Sequence, residues 1–243
     1  MVVEKAAGII GTLIAGVALA NAAPLLAHDR EAAPDIALCD SFPAEPEAIK
    51  TREEPLQLPE EWADFATSSK NWIAVRTDFG VTHCVDTAWF ETASDFERLN
   101  EKFVGFAWEG YEAWGYTVVH LAGQGASFDT GARPVFSPSG DKFAALQVSD
   151  AGWGGFEGFA VWRTYGNVIY PIAINTRIEI IPMVDWRIER WEGEDCLHIS
   201  AVEWEDLNND WKNLASAKRH PYVAGAAGDW AISPGQRCPT YGS

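Results

Sequence analysis

Two stretches of the sequence combine tryptophan with acidic residues. Residues 185–206, "DWRIERWEGEDCLHISAVEWED", hold three Trp and eight Asp or Glu, and residues 106–116, "FAWEGYEAWGY", hold two Trp, two Tyr and two Glu. Sugar-binding clefts use aromatic platforms beside carboxylates, and two carboxylates on either side of a sugar can act as acid and base. The pattern is therefore compatible with a glycan-acting or other hydrolase. The alternative, which we favour for Trp186, Trp191 and Trp204, is that these rings fill a protein core.

Recognisable catalytic motifs are absent from the sequence. It contains no GxSxG nucleophile elbow, no HExxH zinc helix, no GxxxxGKS or GxxxxGKT phosphate loop and no GxGxxG after a predicted strand. Asp206, Asn208 and Asp210 match the first three ligand positions of an EF-hand loop. The later positions hold Trp211 and Ala217 instead of the required Gly and Glu, so a calcium site is not predicted there.

The five histidines form no metal or catalytic pattern. His83, His120 and His198 lie singly in predicted strands, His220 is expected to cap a helix, and His28 lies near the N-terminus. A single His in a strand is more often a hydrogen-bonded structural residue than a base. The sequence therefore predicts no catalytic, cofactor-binding or metal-binding residue and no cofactor. Enzymatic activity is left open but is not favoured.

The chain is strongly acidic, with 18 Lys and Arg against 35 Asp and Glu in 243 residues and a formal net charge of −17. An acidic surface repels the phosphates of nucleic acids and of anionic membranes. We therefore expect neither as a partner. A solvated acidic surface is the simple interpretation. Charge alone also supports an acidic inhibitor of a basic lytic enzyme.

The N-terminus has the layout of a bacterial signal peptide. Residues 6–20, "AAGIIGTLIAGVALA", form a 15-residue run without a charge, and small residues then follow. Signal peptidase cleavage is predicted after Ala20 or Ala22. An uncleaved membrane anchor is the alternative, but the run is shorter than the roughly 20 residues that span a bilayer. We expect a periplasmic or secreted protein without stable membrane insertion after cleavage.

Four cysteines are scattered along the chain, at Cys39, Cys84, Cys196 and Cys238. None forms a CxxC pair or has a His at metal-ligand spacing. In an oxidising compartment, an even number of scattered cysteines favours disulfides over metal or redox chemistry. Two disulfides are predicted, and all three pairings remain open.

Predicted strands dominate the second half of the chain. Short β-rich segments bounded by Gly, Pro, Asn, Ser or Asp predict strands at 114–123, 133–137, 142–149, 158–164, 167–174, 177–183, 185–191 and 196–204. Another pair of strands is expected within the segment that begins at Asn71. Short helices are predicted from Pro59, from Ser94, where Glu97 completes a capping box, and over 207–219.

One segment resembles a known repeat. Pro134, Phe136, Pro138 and Gly140, followed by Phe143, resemble the "PxFSPDGxxLAF" blade signature of TolB-like β-propellers. The stretch from 115 to 163 is also similar in the order of its elements to segments of exported bacterial proteins. The resemblance implies a tight turn that leads into a strand buried on both faces. Ser139 replaces the usual Asp, and the motif occurs once.

Together these features predict a mainly β protein. We expect antiparallel propeller-like sheets, or a partial or degenerate β-propeller, with two or three short peripheral helices. The predicted organisation is a signal peptide over 1–22, an extended N-terminal arm over 23–69 and a single all-β domain over 70–243. The favoured function is that of an exported, non-enzymatic binding or scaffold protein of the cell envelope, acting as a monomer on a protein or an envelope glycan.

Overall fold

A computed structural model describes residues 33–43, 52–148, 156–175, 183–208 and 210–240. The predicted signal peptide with its cleavage positions Ala20 and Ala22 lies outside the described residues, as does the predicted strand at 177–183 up to residue 182. The described part of the chain is mainly β. Its strands are β1 Ala66–Ser68, β2 Trp72–Arg76, β3 Thr82–Asp86, β4 Thr92–Arg98, β5 Phe103–Gly110, β6 Ala113–His120, β7 Ala126–Asp129, β8 Val135–Phe136, β9 Lys142–Gln147, β10 Gly158–Tyr165, β11 Val168–Asn175, β12 Met183–Glu192, β13 Cys196–Glu203, β14 Arg219–Gly225 and β15 Ser233–Pro234.

Helical structure is short and peripheral. One α-helix, α1, spans Ile36–Asp40 and is capped by the Asp35 side chain, which accepts a hydrogen bond from the Leu38 amide. Short 3-10 turns cover Glu60–Trp62, Trp204–Leu207, Trp211–Ser216 and Ala226–Gly228. Among the described residues, no helix is long and apolar enough to cross a bilayer.

The strands form four antiparallel sheets in which each strand pairs with its neighbour in sequence. The first sheet contains β1 to β3, the second β4 to β7, the third β8 to β11 and the fourth β12 to β15. Up-and-down sheets of this kind, packed face to face in chain order, give the propeller-like architecture that the sequence predicts. The predicted fold class is confirmed.

Three buried clusters join the sheets in succession. Trp62, Ile73 and Phe106 belong to the cluster between the first and second sheets. Phe103 and Phe143 belong to the one between the second and third. A third cluster, rich in tryptophan, joins the third and fourth sheets. Among the described residues, no such cluster joins the fourth sheet back to the first.

Strand β9 is buried on both faces. Phe143 and Ala145 face the cluster shared with the second sheet, whereas Ala144 and Leu146 face the cluster shared with the fourth. All four side chains are buried. Since successive side chains in a strand point to opposite faces, a strand between two packed neighbours must be apolar on both. This packing explains the continuous apolar run at residues 143–146.

Seven predicted strands overlap observed ones, namely β6 and β8 to β13, and the expected earlier pair is β2 and β3. The helix predicted from Ser94 is wrong, because residues 92–98 form β4. The capping-box pattern is a local signal, and Glu97 instead accepts a hydrogen bond from the Tyr116 hydroxyl of β6. Pairing with β5 satisfies the backbone of this segment without a helix.

The helix predicted over 207–219 is also wrong as a single element. Trp211–Ser216 forms a 3-10 turn, and Arg219 begins strand β14, so His220 does not cap a helix. Pro221 lies inside β14 opposite Ser200. Range 23–69, predicted as an extended arm, contains α1, the 3-10 turn at 60–62 and strand β1.

Two disulfides are present, as predicted, and the structure gives their pairing. Cys39 of α1 is bonded to Cys84 of β3, and Cys196 of β13 is bonded to Cys238 near the C-terminus. Each bond therefore ties a segment outside a sheet to a strand within it. Disulfides of this kind are consistent with an oxidising, extracellular or periplasmic location.

Candidate functional site

A cleft of about 690 Å³ lies over strands β4, β5 and β6 and the loop that follows β7. We call it the β4–β6 cleft. Its aromatic lining residues are Phe96, Trp108, Trp114 and Tyr116, and its polar ones are Ser94, Asp95, Glu97, Glu109 and Arg133. The acidic and aromatic segment 106–116 therefore does form part of a cleft.

The register of the second sheet places two pairs of these residues side by side. Glu109 of β5 lies opposite Trp114 of β6, and Ala107 lies opposite Tyr116. Paired residues in an antiparallel sheet point to the same face, as do residues two positions apart. Trp114 keeps 39% of its surface exposed. A flat ring with a carboxylate beside it is thus presented to solvent.

A β-bulge brings Asp95 into the same cleft. The pairing of β4 with β5 shifts register between Ser94 and Glu97, and Asp95 takes a left-handed conformation with φ of 50°. Bulges change the direction in which a side chain points, and non-glycine residues seldom adopt this conformation. The exposed Asp95 side chain therefore adds a carboxylate that a regular strand would not place there.

Glu97 is held by two neighbours at the side of the cleft. Arg133 contacts both of its oxygens, with Nε 2.5 Å and Nη2 2.7 Å away, and the Tyr116 hydroxyl donates to it at 2.7 Å. Hydrogen bonds from Arg133 lower the pKa of Glu97, against the raising effect of burial, and Tyr116 adds to the lowering. Burial and the bond to Glu97 raise the pKa of Tyr116 well above its usual value. Glu97 is therefore a fixed, ionised anchor.

Trp108 is positioned by the partly buried carboxylate of Asp129. The indole Nε1 donates to Asp129 Oδ2 at 2.8 Å, and the Gly131 amide donates to Oδ1 at 2.5 Å. Burial raises the pKa of Asp129, although these donors work in the opposite direction. Phe90 stacks on the Trp108 ring with centroids 4.6 Å apart. Each contact limits the freedom of a ring that lines the cleft.

A glycine makes this arrangement possible. Gly115 lies opposite Trp108 in the sheet, and a Cβ atom there would lie 2.5 Å from Asp129 Oδ2 and 2.6 Å from the Trp108 ring. Real Cβ atoms do not approach other heavy atoms so closely. The glycine is thus required by the close approach of the ring and the carboxylate.

Two carboxylates of the cleft remain for a ligand. Within the described part of the chain, neither Asp95 nor Glu109 has a side-chain hydrogen bond or an ion pair. With the exposed ring of Trp114 they offer a stacking surface and two sets of hydrogen-bond acceptors. This arrangement suits a neutral, hydroxyl-rich ligand or a cationic one, and it repels an anion.

The tryptophans of the second acidic stretch, 185–206, mostly lie in the interior of the fold. Trp186 and Trp191 are buried, and the Trp191 indole donates to the Val135 carbonyl at 2.9 Å. Trp204 packs against Trp211 with centroids 5.3 Å apart. The core interpretation of Trp186 and Trp191 is confirmed by their burial.

Four acidic residues of this stretch have side-chain partners within the fold. Asp185 bonds Arg219, Glu189 accepts from Ser200, and Glu192 contacts His198 Nε2 at 2.6 Å. Asp195 accepts from Lys142 at 2.7 Å. These four carboxylates therefore contribute to contacts between neighbouring strands and hairpins.

The histidines also occupy separate environments. His83 Nε2 lies 3.0 Å from Ser127 Oγ, and burial lowers the pKa of His83. His120 is fully buried, and neither of its ring nitrogens has a hydrogen-bond partner among the described residues. His198 lies within hydrogen-bond distance of Glu192. His220 lies beside Glu203 and Asp206. Sequence inspection missed this last group because its members are spread over strand β13, a 3-10 turn and strand β14.

The predicted blade turn connects β8 and β9 of the third sheet. Gly140 has φ of 75°, and its amide donates to the Ser137 carbonyl at 2.9 Å to close a tight turn. Pro134 is buried, Phe136 lies 5.3 Å from Phe103, and Pro138 is exposed at the turn.

This turn binds the β12–β13 hairpin. Glu194 accepts two hydrogen bonds from Ser139, from its amide at 2.8 Å and from its hydroxyl at 2.9 Å. The buried Lys142 donates to the Glu194 carbonyl at 2.8 Å. Ser139, which departs from the usual Asp of the blade signature, thus supplies a donor to a carboxylate.

No family model matches this sequence, and no curated protein matches it. Among solved structures, the chain is similar to the β-propeller domain of the Trilobed protease from Pyrococcus furiosus, which has an open velcro topology. The match has 12% sequence identity and a TM-score of 0.31, and it covers 60% of this chain. The chain corresponds to 43% of the length of that structure.

Proposed function

We propose that the protein is an exported binding protein of the bacterial cell envelope that holds a glycan in the β4–β6 cleft. The observation that carries this proposal is the partly exposed Trp114 ring, which lies beside Glu109 and shares the cleft with Asp95. Sugar rings stack on flat aromatic faces, and their hydroxyl groups donate to carboxylates.

Export is part of the proposal. The signal-peptide pattern over residues 1–22 directs the chain out of the cytoplasm, and the two disulfides suit an oxidising compartment. The resemblance of the turn at 134–140 to TolB-like blades also supports an envelope role. A propeller-like stack of sheets can present a cleft on a rigid scaffold without catalytic groups.

The direct test is binding to purified envelope glycan. Sedimentation with insoluble glycan and calorimetry with soluble fragments should both show binding by the wild-type protein. Trp114→Ala should weaken binding by about 5- to 150-fold, since loss of one stacking ring costs roughly 1–3 kcal/mol. Trp211→Ala is the matched control, because Trp211 is 51% exposed but lies outside the cleft. Equal binding by both variants would contradict the proposal.

A glycan-acting hydrolase is the second candidate, and one observation favours it. Asp95 and Glu109 are two carboxylates without hydrogen-bonded side-chain partners among the described residues, and they line the same cleft. An acid and a base on either side of a glycosidic bond are what hydrolysis requires. Release of reducing ends by the wild-type protein, abolished in both Asp95→Asn and Glu109→Gln, would establish this activity. Binding without release would leave the protein a binding module.

A further inference from the structure

A second cluster of ligand-type side chains lies in the fourth sheet, away from the β4–β6 cleft. Glu203 ends strand β13, Asp206 lies in the 3-10 turn that follows it, and His220 lies in strand β14. One ligand atom of each lies within 4.8 Å of the others. The imidazole Nε2 is 2.8 Å from Asp206 Oδ2, and Nδ1 is 3.6 Å from Glu203 Oε1.

Backbone pairing holds these three side chains in place. His220 lies opposite Ala201 in the β13–β14 ladder, which fixes the distance between the two strands. Asp206 is part of a turn whose buried Leu207 anchors it to the core. The side chains are partly exposed, with 42% for Glu203, 32% for Asp206 and 21% for His220. A small ion can therefore reach them from solvent.

The two carboxylates of this cluster have no Lys or Arg partner among the described residues. The side chains of Glu203 and Asp206 lie within salt-bridge distance of the His220 imidazole alone, and an imidazole carries a charge only when protonated. The neighbouring Arg219 is directed elsewhere, to Asp185 and Glu189. Two carboxylates held this close repel each other, and a bound cation between them relieves the repulsion.

We propose that Glu203, Asp206 and His220 bind a divalent transition-metal ion of the zinc class. One imidazole nitrogen and two carboxylate oxygens are the donors that zinc accepts, with water in a fourth position. Ligand atoms around a tetrahedral zinc ion lie about 3.4 Å apart, as follows from bonds of about 2.1 Å. Metal binding therefore requires the Glu203 carboxylate, now nearest to Nδ1, to turn toward the ring nitrogen that Asp206 contacts. Calcium is disfavoured, because it requires six to eight oxygen ligands.

The chain contains a matched control cluster. Glu192, His198 and Cys238 also bring three ligand-type atoms within 4.8 Å of one another, and Glu192 lies 2.6 Å from His198 Nε2. The Cys238 sulfur, however, is bonded to Cys196 and has no thiolate to offer. This cluster therefore has two usable ligands where the Glu203 cluster has three.

Titration calorimetry with zinc chloride, at pH 7.5 on untagged protein with intact disulfides, tests the proposal. Wild-type protein should bind one zinc ion per chain, and equal concentrations of magnesium or calcium should not displace it. Mutating a residue that merely supports a ligand typically lowers metal affinity about 10- to 100-fold, and removing the ligand itself should lower it at least as much. We therefore expect His220→Asn and Glu203→Gln each to lower zinc affinity at least about tenfold. His198→Asn should leave that affinity unchanged.

Circular dichroism and thermal unfolding without metal establish that each variant is folded. If His220→Asn does not fold, Glu203→Gln and Asp206→Asn decide the result, because both keep the shape of the side chain. The proposal is overturned if wild-type protein binds no zinc, if the ligand variants retain full affinity, or if His198→Asn loses as much affinity as His220→Asn. None of these results depends on the glycan-binding proposal.

Discussion

Individual residues of the β4–β6 cleft act through close contacts that tolerate little change. Trp108 and Asp129 meet over Gly115, where an added Cβ would lie 2.5 Å from the carboxylate and 2.6 Å from the ring. The absence of a side chain at Gly115 lets the Trp108 ring and the Asp129 carboxylate come together, which fixes the ring in the cleft wall. A small residue in the middle of a strand is thus part of the site although it offers no functional group.

Gly115→Ala should therefore lower the free energy of unfolding and distort the cleft. We expect a loss of about 1–3 kcal/mol, the usual cost of overpacking, measured by urea unfolding. Glycan binding should weaken in the same variant. Gly228→Ala is the control, since a Cβ there would meet its nearest atom, in Pro239, at 3.6 Å. Its stability should change by less than about 0.5 kcal/mol.

His120 is the residue through which stability should depend on pH. It is fully buried and stacks on Phe103 with centroids 4.6 Å apart. Burial lowers the pKa of His120, and the positive charge of Lys102 lowers it further, whereas Asp78 acts in the opposite direction. The unfolded chain binds a proton near the ordinary value of 6.5, but the folded chain does so only at lower pH. The free energy of unfolding is therefore unaffected by His120 above about pH 6.5, and it falls as the pH decreases below that value.

The predicted measurement is the slope of unfolding free energy against pH between 6.5 and 5. One proton contributes at most about 1.4 kcal/mol per pH unit. His120→Leu should have a shallower slope than the wild-type protein, because one of the protons taken up on unfolding is lost. Some slope remains, because His83, whose pKa is also lowered by burial, is present in both proteins. Identical slopes would show that His120 is not protonated on unfolding in this range.

At the scale of elements, a turn in one sheet is bound to a hairpin in the next. Ser139 donates two hydrogen bonds to Glu194, and buried Lys142 donates to Asp195. Although desolvation raises it, the pKa of Glu194 is lowered overall by donors at Ser137 and Ser139 and by the charge of Lys142. Serine at this turn position matches a carboxylate in the neighbouring hairpin, where an aspartate would repel it.

Ser139→Asp, which restores the usual residue of the blade signature, should therefore destabilise the protein. The expected loss is about 1 kcal/mol, because the site is exposed and solvent screens the repulsion. Adding Glu194→Gln should recover part of this loss, so the double-mutant cycle measured by urea unfolding should give a nonzero coupling energy. Additive effects of the two substitutions would show that the turn and the hairpin are independent.

Strand β9 and strand β4 show where sequence patterns succeed and where they fail. The continuous apolar run at residues 143–146 predicts a strand buried on both faces, and the packing of neighbouring sheets on each side explains it. Ser94 and Glu97 predict a helix start, yet their segment pairs with β5 and Glu97 binds Arg133 and Tyr116. A capping box describes neighbours along the chain, whereas those partners lie 19 and 36 residues away.

The same limit applies to the candidate site. The ring and carboxylate at Trp114 and Glu109 were visible in the sequence, because they belong to one hairpin. Asp95 and Arg133 were not, since a bulge and a loop in other parts of the chain place them there. The composition of residues 106–116 indicated an aromatic and acidic surface. Which further residues join that surface depends on strand pairing and on the bulge in β4, which the sequence does not reveal.

For the molecule as a whole, each disulfide joins a segment outside the sheets to one of the two terminal sheets. Within the described residues, the first sheet shares a buried cluster only with the second, and the fourth only with the third. Cys39–Cys84 crosslinks the first sheet and Cys196–Cys238 the fourth, and the inner two sheets contain no cysteine. Stacked units that pack on one side are less stable than inner ones and need a cap. The disulfides supply that stabilisation covalently.

Replacing both Cys196 and Cys238 by Ser should therefore loosen the fourth sheet before the others. Their bond closes a separation of 42 residues, for which loss of unfolded-state entropy predicts about 3–4 kcal/mol of stabilisation. Hydrogen exchange read by mass spectrometry should show faster exchange in β13 and β14, while the β5, β6, β9 and β10 strands of the inner sheets keep their protection. Uniform loss of protection across all four sheets would instead mean that the stack unfolds as one cooperative unit, with no weaker terminal sheet for the disulfide to secure.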